Sequence, residues 1–169
     1  FIDETELTAV AASVTFSKIP QNFRHLQVVA SCRASGAVEA DNVGMRFNGD
    51  TGANYDYQNI LGNSTTASAG VARVATSILT AFLAEGASSR AALWSGGIGF
   101  GFNYWLQGYE KTSLSFSQTF GDLSANTDLL AVFTSGHWRN LNVITSLTLF
   151  PSTGPNFLAG SRFQLYGIL

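Results

Sequence analysis

Charge is what this chain has least of. Asp, Glu, Lys and Arg make up 12% of its 169 residues, about half the ~25% of an ordinary soluble domain. A free monomer of this size normally carries more charge for solubility. The composition therefore predicts a surface largely covered by sister copies or by a larger assembly. The net charge is −2 with no basic run, so a nucleic-acid partner has no electrostatic footing. The single cysteine, Cys32, excludes an internal disulfide framework and a cysteine-based zinc site. Cys32 falls in phase with Leu26, Val28 and Ala30, which predicts a buried, inert thiol. The longest apolar stretch, 71–84, is interrupted by Arg73 and is shorter than the ~20 residues of a membrane helix, so no membrane partner is expected. The chain begins Phe1-Ile2-Asp3 without methionine or a secretion-type segment, and residues are expected to have preceded it.

What the chain does have is period-two alternation. Residues 143–150 set Val143, Thr145, Leu147 and Leu149 against Ile144, Ser146, Thr148 and Phe150, which fits a half-buried antiparallel strand. Pro151, Gly154 and Pro155 then break the run, since proline cannot donate to a ladder. Residues 24–33 form a second clear strand, and Val43, Met45 and Phe47 repeat the pattern. Asn48-Gly49 supplies the positive φ angles of a tight hairpin turn. Residues 59–69 are small and polar and read as a loop. Residues 71–84 fit a helical face through Val71, Val74, Ile78 and Phe82 or, preferably, a strand. A long loop at 86–97 carries Arg90 and Trp94. Residues 98–106 set Gly99 and Gly101 against Ile98, Phe100 and Phe102, and small residues on one face suggest close approach by another sheet or subunit. Residues 112–120 and 129–134 are further strands.

The expected fold is all-β: an antiparallel, jelly-roll-like β-sandwich of about eight strands. Residues 1–14 form an N-terminal arm or edge strand, and 15–169 a single domain. The chain closes within a strand, which favours a compact unit with no trailing tail. By surface scaling it exposes roughly 8,000 Å² when folded.

Three groups of residues bear on chemistry. His25 lies on the solvent phase of its strand and His137 in an apparent turn, Gly136-His137-Trp138-Arg139. No G-x-S-x-G signature appears, so no catalytic residue is assigned. Asp41, Asp50 and Asp56 bracket the Asn-Gly turn, but their spacing fits no calcium loop, and Asp50 reads as a turn residue bonding its own backbone. No metal or cofactor is expected. Trp94, Trp105, Trp138 and Tyr55 can stack on sugar rings or anchor an interface. Trp94 is the more exposed candidate, whereas Trp105 reads as core or subunit packing. Arg46 and Arg162, beside Phe47 and Phe163, should point outward to solvent or a carboxylate.

Two stretches carry a likeness. SKIPQNFRHLQVVASCRAS followed by MRFNGDTGANYDYQ, and SGHWRNLNVITSLTLFPSTGPNFLAGSRFQLYGI, resemble the two halves of a group of tailed-bacteriophage virion proteins. The shared features are Ile19-Pro20 before a strand, the Arg-Phe-Asn-Gly-Asp turn at 46–50, and the closing Gly-Ser-Arg-Phe strand at 160–168. Residues 63–97 are the least typical part. The resemblance implies a virion component, most often a trimeric capsid cement (decoration) protein on the capsid surface. Its partners would be the major capsid protein and copies of itself. An extended 1–14 arm would reach a neighbour by strand addition. The other role it allows is a tail-tip protein contacting a host-surface glycan, through the Trp94 loop and the 48–55 turn. The interface candidates are Phe1, Ile2, Asn48, Asp50, Asn54, Tyr55, Trp94, Trp105 and Trp138.

Overall fold

In the computed structural model, which describes residues 1–119 and 129–169, the alternating segments become twelve strands. In chain order these are β1 (Asp3–Glu6), β2 (Val14–Phe16), β3 (His25–Cys32), β4 (Ala40–Phe47), β5 (Tyr55–Asn63), β6 (Thr66–Ala75), β7 (Ile78–Glu85), β8 (Ser95–Phe102), β9 (Lys111–Thr119), β10 (Leu130–Trp138), β11 (Leu147–Pro151) and β12 (Arg162–Ile168). One sheet has eight strands in the order β1-β12-β3-β8-β9-β10-β5-β6, and the other has four in the order β2-β11-β4-β7. Consecutive segments pass from one sheet to the other at most connections, which makes an antiparallel, jelly-roll-like sandwich. No described residue is helical. The exposed surface, 8059 Å², agrees with the scaling expectation.

The core forms where alternation placed it. Leu26, Val28, Ala30 and Cys32 of β3 are buried against Val43, Met45 and Phe47 of β4, with Leu147, Leu149, Phe163 and Leu165 completing the layer. The strand count exceeds the eight expected, because segments without an apolar face also pair. Residues 59–69 are not a loop: they are the paired parts of β5 and β6, joined at Ser64-Thr65. Ladder hydrogen bonds hold a strand whose side chains are small and solvated, so hydrophobic period gave no signal there. Residues 71–84 are strand, as preferred, but the run is cut at Thr76-Ser77 between β6 and β7, which lie in different sheets. Val71 and Val74, which the alternative helical reading would place on a buried face, are exposed. The run at 143–150 pairs only from Leu147, and Ile144 is buried out of phase with it. The loop at 86–97 ends at Trp94, because Ser95 already pairs with Cys32. Phe120, the expected end of a strand, lies outside the described residues.

Asn48 and Gly49 do take φ of 52° and 67°, and the Asp50 N–H donates to the Phe47 carbonyl at 2.9 Å. The turn does not close a hairpin, however. It carries the chain from β4 in the smaller sheet to β5 in the larger.

Glycine spacing in β8 reports a real approach. A Cβ on Gly97 or Gly99 would lie 2.5 or 2.8 Å from the Phe82 ring. The approaching element is β7 of the same chain, not another subunit. Strand β9 meets β7 with hydroxyls: Ser115 Oγ accepts the Ala81 N–H at 2.9 Å, and Ser117 Oγ accepts that of Leu83 at 3.3 Å. The outer edge of β7 is thus satisfied by side chains rather than by another strand.

Candidate interaction surface

Seen across β8, β9 and β10, the sandwich is inverted. The inward positions are small or hydroxylated: Gly97, Gly99 and Gly101 in β8; Ser113, Ser115, Ser117 and Thr119 in β9; Thr134 and Gly136 in β10, beside Val132 and Trp138. The large apolar side chains face out. Phe116 is 46% and Phe133 41% exposed. Where β7 crosses, at Gly97, Gly99 and Gly136, the inner face has no room for bulk, whereas Lys111 and Trp138 lie buried at its end.

Register lines these residues up. Val29, Ile98, Phe116, Phe133, Ile60 and Ala69 are successive cross-strand partners over β3, β8, β9, β10, β5 and β6. The adjoining row is Tyr166, Gln27, Phe100, Leu114, Ser135, Gln58 and Val71. Neither row holds a charged residue. In the next row Phe102 stacks on Phe100, with ring centroids 6.4 Å apart, and packs edge-on to His25 at 5.7 Å. Six strands about 4.8 Å apart, crossed by three rows about 7 Å apart, give a face of roughly 500 Å². Apolar patches of this size on monomers are commonly interaction sites. Two hollows indent this side of the sheet, one of about 200 Å³ at Ile98 and Phe116 and one of about 350 Å³ at its charged margin, where Asp56, Arg73 and His137 join Gln58, Val71 and Ser135.

The third row ends in charge. His137, expected in a turn, is a residue of β10. Its Nε2 lies 2.8 Å from Glu110 Oε2 and its Nδ1 3.4 Å from Asp56 Oδ2. Both ring nitrogens therefore face carboxylates. Asp56 also accepts the Val74 N–H at 3.0 Å and lies 3.3 Å from Arg139 Nε. The Val74 N–H above all, with His137 and the two arginines Arg139 and Arg73, holds its carboxyl below the usual range, against the opposing pull of desolvation.

The sequence candidates scatter. Asn48 is spent on its own chain: its Nδ2 donates to the Val143 carbonyl at 2.8 Å, and its Oδ1 accepts the Thr145 N–H at 2.8 Å. Asp50 accepts the Gly52 N–H, as its turn reading required, and also the Trp138 indole N–H at 2.8 Å. Burial raises the Asp50 pKa, but the Trp138, Asn54 and Gly52 donors outweigh it and hold the carboxyl below its ordinary value. Asn54 Nδ2 donates to Asp50. Tyr55 and Trp138 are fully buried and stacked, their ring centroids 6.3 Å apart. These five residues clamp the β4–β5 turn, and neither of these two buried rings is open to a sugar.

Trp105 is not core; it is 39% exposed in the segment after β8. Trp94 is 37% exposed, and its ring edge rests over Gly160. The buried Arg33 guanidinium holds the preceding loop by donating to the carbonyls of Gly86 and Ser89 at 3.0 and 3.2 Å. Trp94 adjoins the Cys32 end of β3, while Trp138 and Tyr55 lie in other strands at the opposite end of the sheet, next to the row that holds His25. These ends are about 24 Å apart along the strand, so the Trp94 loop and the 48–55 turn do not form one surface. Phe1 packs edge-on to Tyr166 at 5.6 Å, Ile2 packs on the core, and residues 3–6 are an edge strand on β12. The N-terminal segment is therefore docked on its own sheet and does not extend as an arm. Arg162 reaches outward to Glu4 and Glu6, while Arg46 lies over the Phe150 ring, 4.4 Å from its centroid.

Asp41 is buried and caps the Ser152–Gly154 loop, so the three aspartates serve three separate places. Among the described residues no three His, Cys, Asp or Glu side chains converge on a metal position, and no helix is long and apolar enough to cross a membrane. Comparison with known protein families and with curated proteins found no match for the chain.

Proposed function

We propose that the protein is a non-catalytic structural component of a tailed-phage virion, a capsid cement protein that binds the outer shell and stabilises contacts between major capsid subunits. The observation that carries this reading is the apolar face of the larger sheet, two rows of which hold no charged residue, in a chain with 12% charged residues. A face of roughly 500 Å² falls short of the ~800 Å² each partner gives to a standard stable interface. It suits many modest contacts made at once on a lattice, where avidity supplies the strength. A copy that binds only the assembled shell shifts the equilibrium toward the intact capsid. The resemblance of the 17–35, 45–58 and 135–168 segments to virion proteins supports the same assignment, and the trimer it implies is a count to be measured.

The test is copy number. Quantitative staining of purified virions should give hundreds of copies per particle for a cement protein. A handful per particle would overturn this reading in favour of a tail-tip component, for which exposed Trp94 and Trp105 would be the sugar-facing candidates.

A further inference from the structure

We propose that the free edge of β6 pairs antiparallel with β6 of a second copy, about a two-fold axis at Ala69. A two-sheet sandwich has four outer edges, and three of these are closed. β1 is four residues long and carries Asp3, Glu4 and Glu6; β2 is three residues long; β7 has its N–H groups taken by Ser115 and Ser117. Short, charged or covered edges resist strand addition. Among the described residues none covers β6, and it is not short. It is ten residues long, TASAGVARVA, without proline and with Arg73 as its single charge. The bulge at its C-terminal end, where Val74 takes φ 60°, leaves residues 66–72 regular.

The hydrogen-bond parity fixes which groups are open. Asn63 and Thr66 flank the two-residue turn and form a bonded pair, so Thr66, Ser68, Gly70 and Ala72 bond to β5. Ala67, Ala69 and Val71 then direct N–H and C=O to the open edge. Placing the axis at Ala69 sets Ala69 opposite itself and Ala67 opposite Val71 of the second copy, with about six ladder bonds. No like charges face each other in this register. The apolar row that ends at Ala69 continues through the axis into its counterpart, which is the continuity that selects a second copy as occupant. A three-fold closure needs two different surfaces, whereas this edge is complementary to itself. The inference does not rest on the virion assignment.

The experiment is covalent trapping on the full chain. At the axis, paired Cα atoms lie about 5.5 Å apart, within disulfide reach. Ala69→Cys should form a linked dimer on mild oxidation, while Thr66→Cys, about 20 Å from its symmetry mate, should give about tenfold less. Cys32 is buried, with its thiol pushed up to about 12, and does not compete. In sedimentation, Ala69→Pro should give monomer, because it removes only an outward N–H. Val71→Lys should weaken the dimer about tenfold and serves if the proline variant fails to fold. Trapping that is absent, or equal at both cysteines, overturns the proposal. So does an oligomer whose mass Val71→Lys leaves unchanged.

Discussion

Ser115 Oγ accepts the backbone N–H of Ala81 at 2.9 Å, across the interior between the two sheets. This contact explains why a core strand is built on serine: β7 has its outer edge inside the molecule, and β9 must supply acceptors to it. Ser115→Ala leaves a buried donor without a partner, which costs about 1–3 kcal/mol. Urea unfolding should show a lowered midpoint with unchanged slope. A midpoint equal to wild type would mean that Ala81 finds another acceptor.

Steric fit on the same inner face gives a second expectation. Gly99→Ala places a methyl group 2.8 Å from the Phe82 ring and should lose about 1–3 kcal/mol by overpacking. Gly62→Ala meets nothing closer than the Ala131 carbonyl at 3.9 Å and should stay within about 0.5 kcal/mol of wild type. Thermal melts of the pair test the contrast, and equal melting temperatures would contradict the close approach of β7.

Acid should weaken the fold through Asp50. Its carboxyl is held below the ordinary 3.8 by the Trp138, Asn54 and Gly52 donors. A depressed folded pKa contributes stability that is whole above the unfolded value and is lost as pH falls through the folded one. The stability gap between wild type and Asp50→Asn, followed by denaturant titration, should therefore be constant above about pH 5 and shrink below pH 4. A gap independent of pH would show that the clamp does not need the charge.

Cys32 titrates the other way. Burial, aided by the charges of Asp41 and Glu85, pushes its thiol from 9.0 up to about 12. Stability linked to the protonated thiol is whole below 9.0 and drains as pH rises toward about 12. At neutral pH a thiol reagent should leave the native protein unmodified and react fully in denaturant. Rapid native labelling would place Cys32 outside the core.

The sandwich was legible wherever alternation put large apolar side chains inward, as at Leu26, Val28 and Ala30 or at Val43, Met45 and Phe47. It was hidden where the rule inverts. Alternation in SLSFSQT marks a strand, but the ordinary reading turns Leu114 and Phe116 inward, and the structure turns the serines inward instead. Only the position of β7 decides that, and it is a long-range fact. Residues 59–69 lacked any apolar period because β6 is exposed on both faces. The Asp50–Trp138 bond joins residues 88 positions apart, so the turn residue was foreseeable and its indole partner was not. The one compositional sign in keeping with an outward apolar face was the low charge of the chain.

The proposed capsid role requires that outward face to be covered in an assembled virion. The direct measurement is co-sedimentation of purified chain with phage shells stripped of it, comparing wild type with Phe133→Asp. Phe133 is 41% exposed on the sheet exterior, so the variant should fold normally. The expected result is wild-type saturation of the shell and loss of binding by Phe133→Asp at matched concentration. Equal binding by both, or binding by neither, would contradict it.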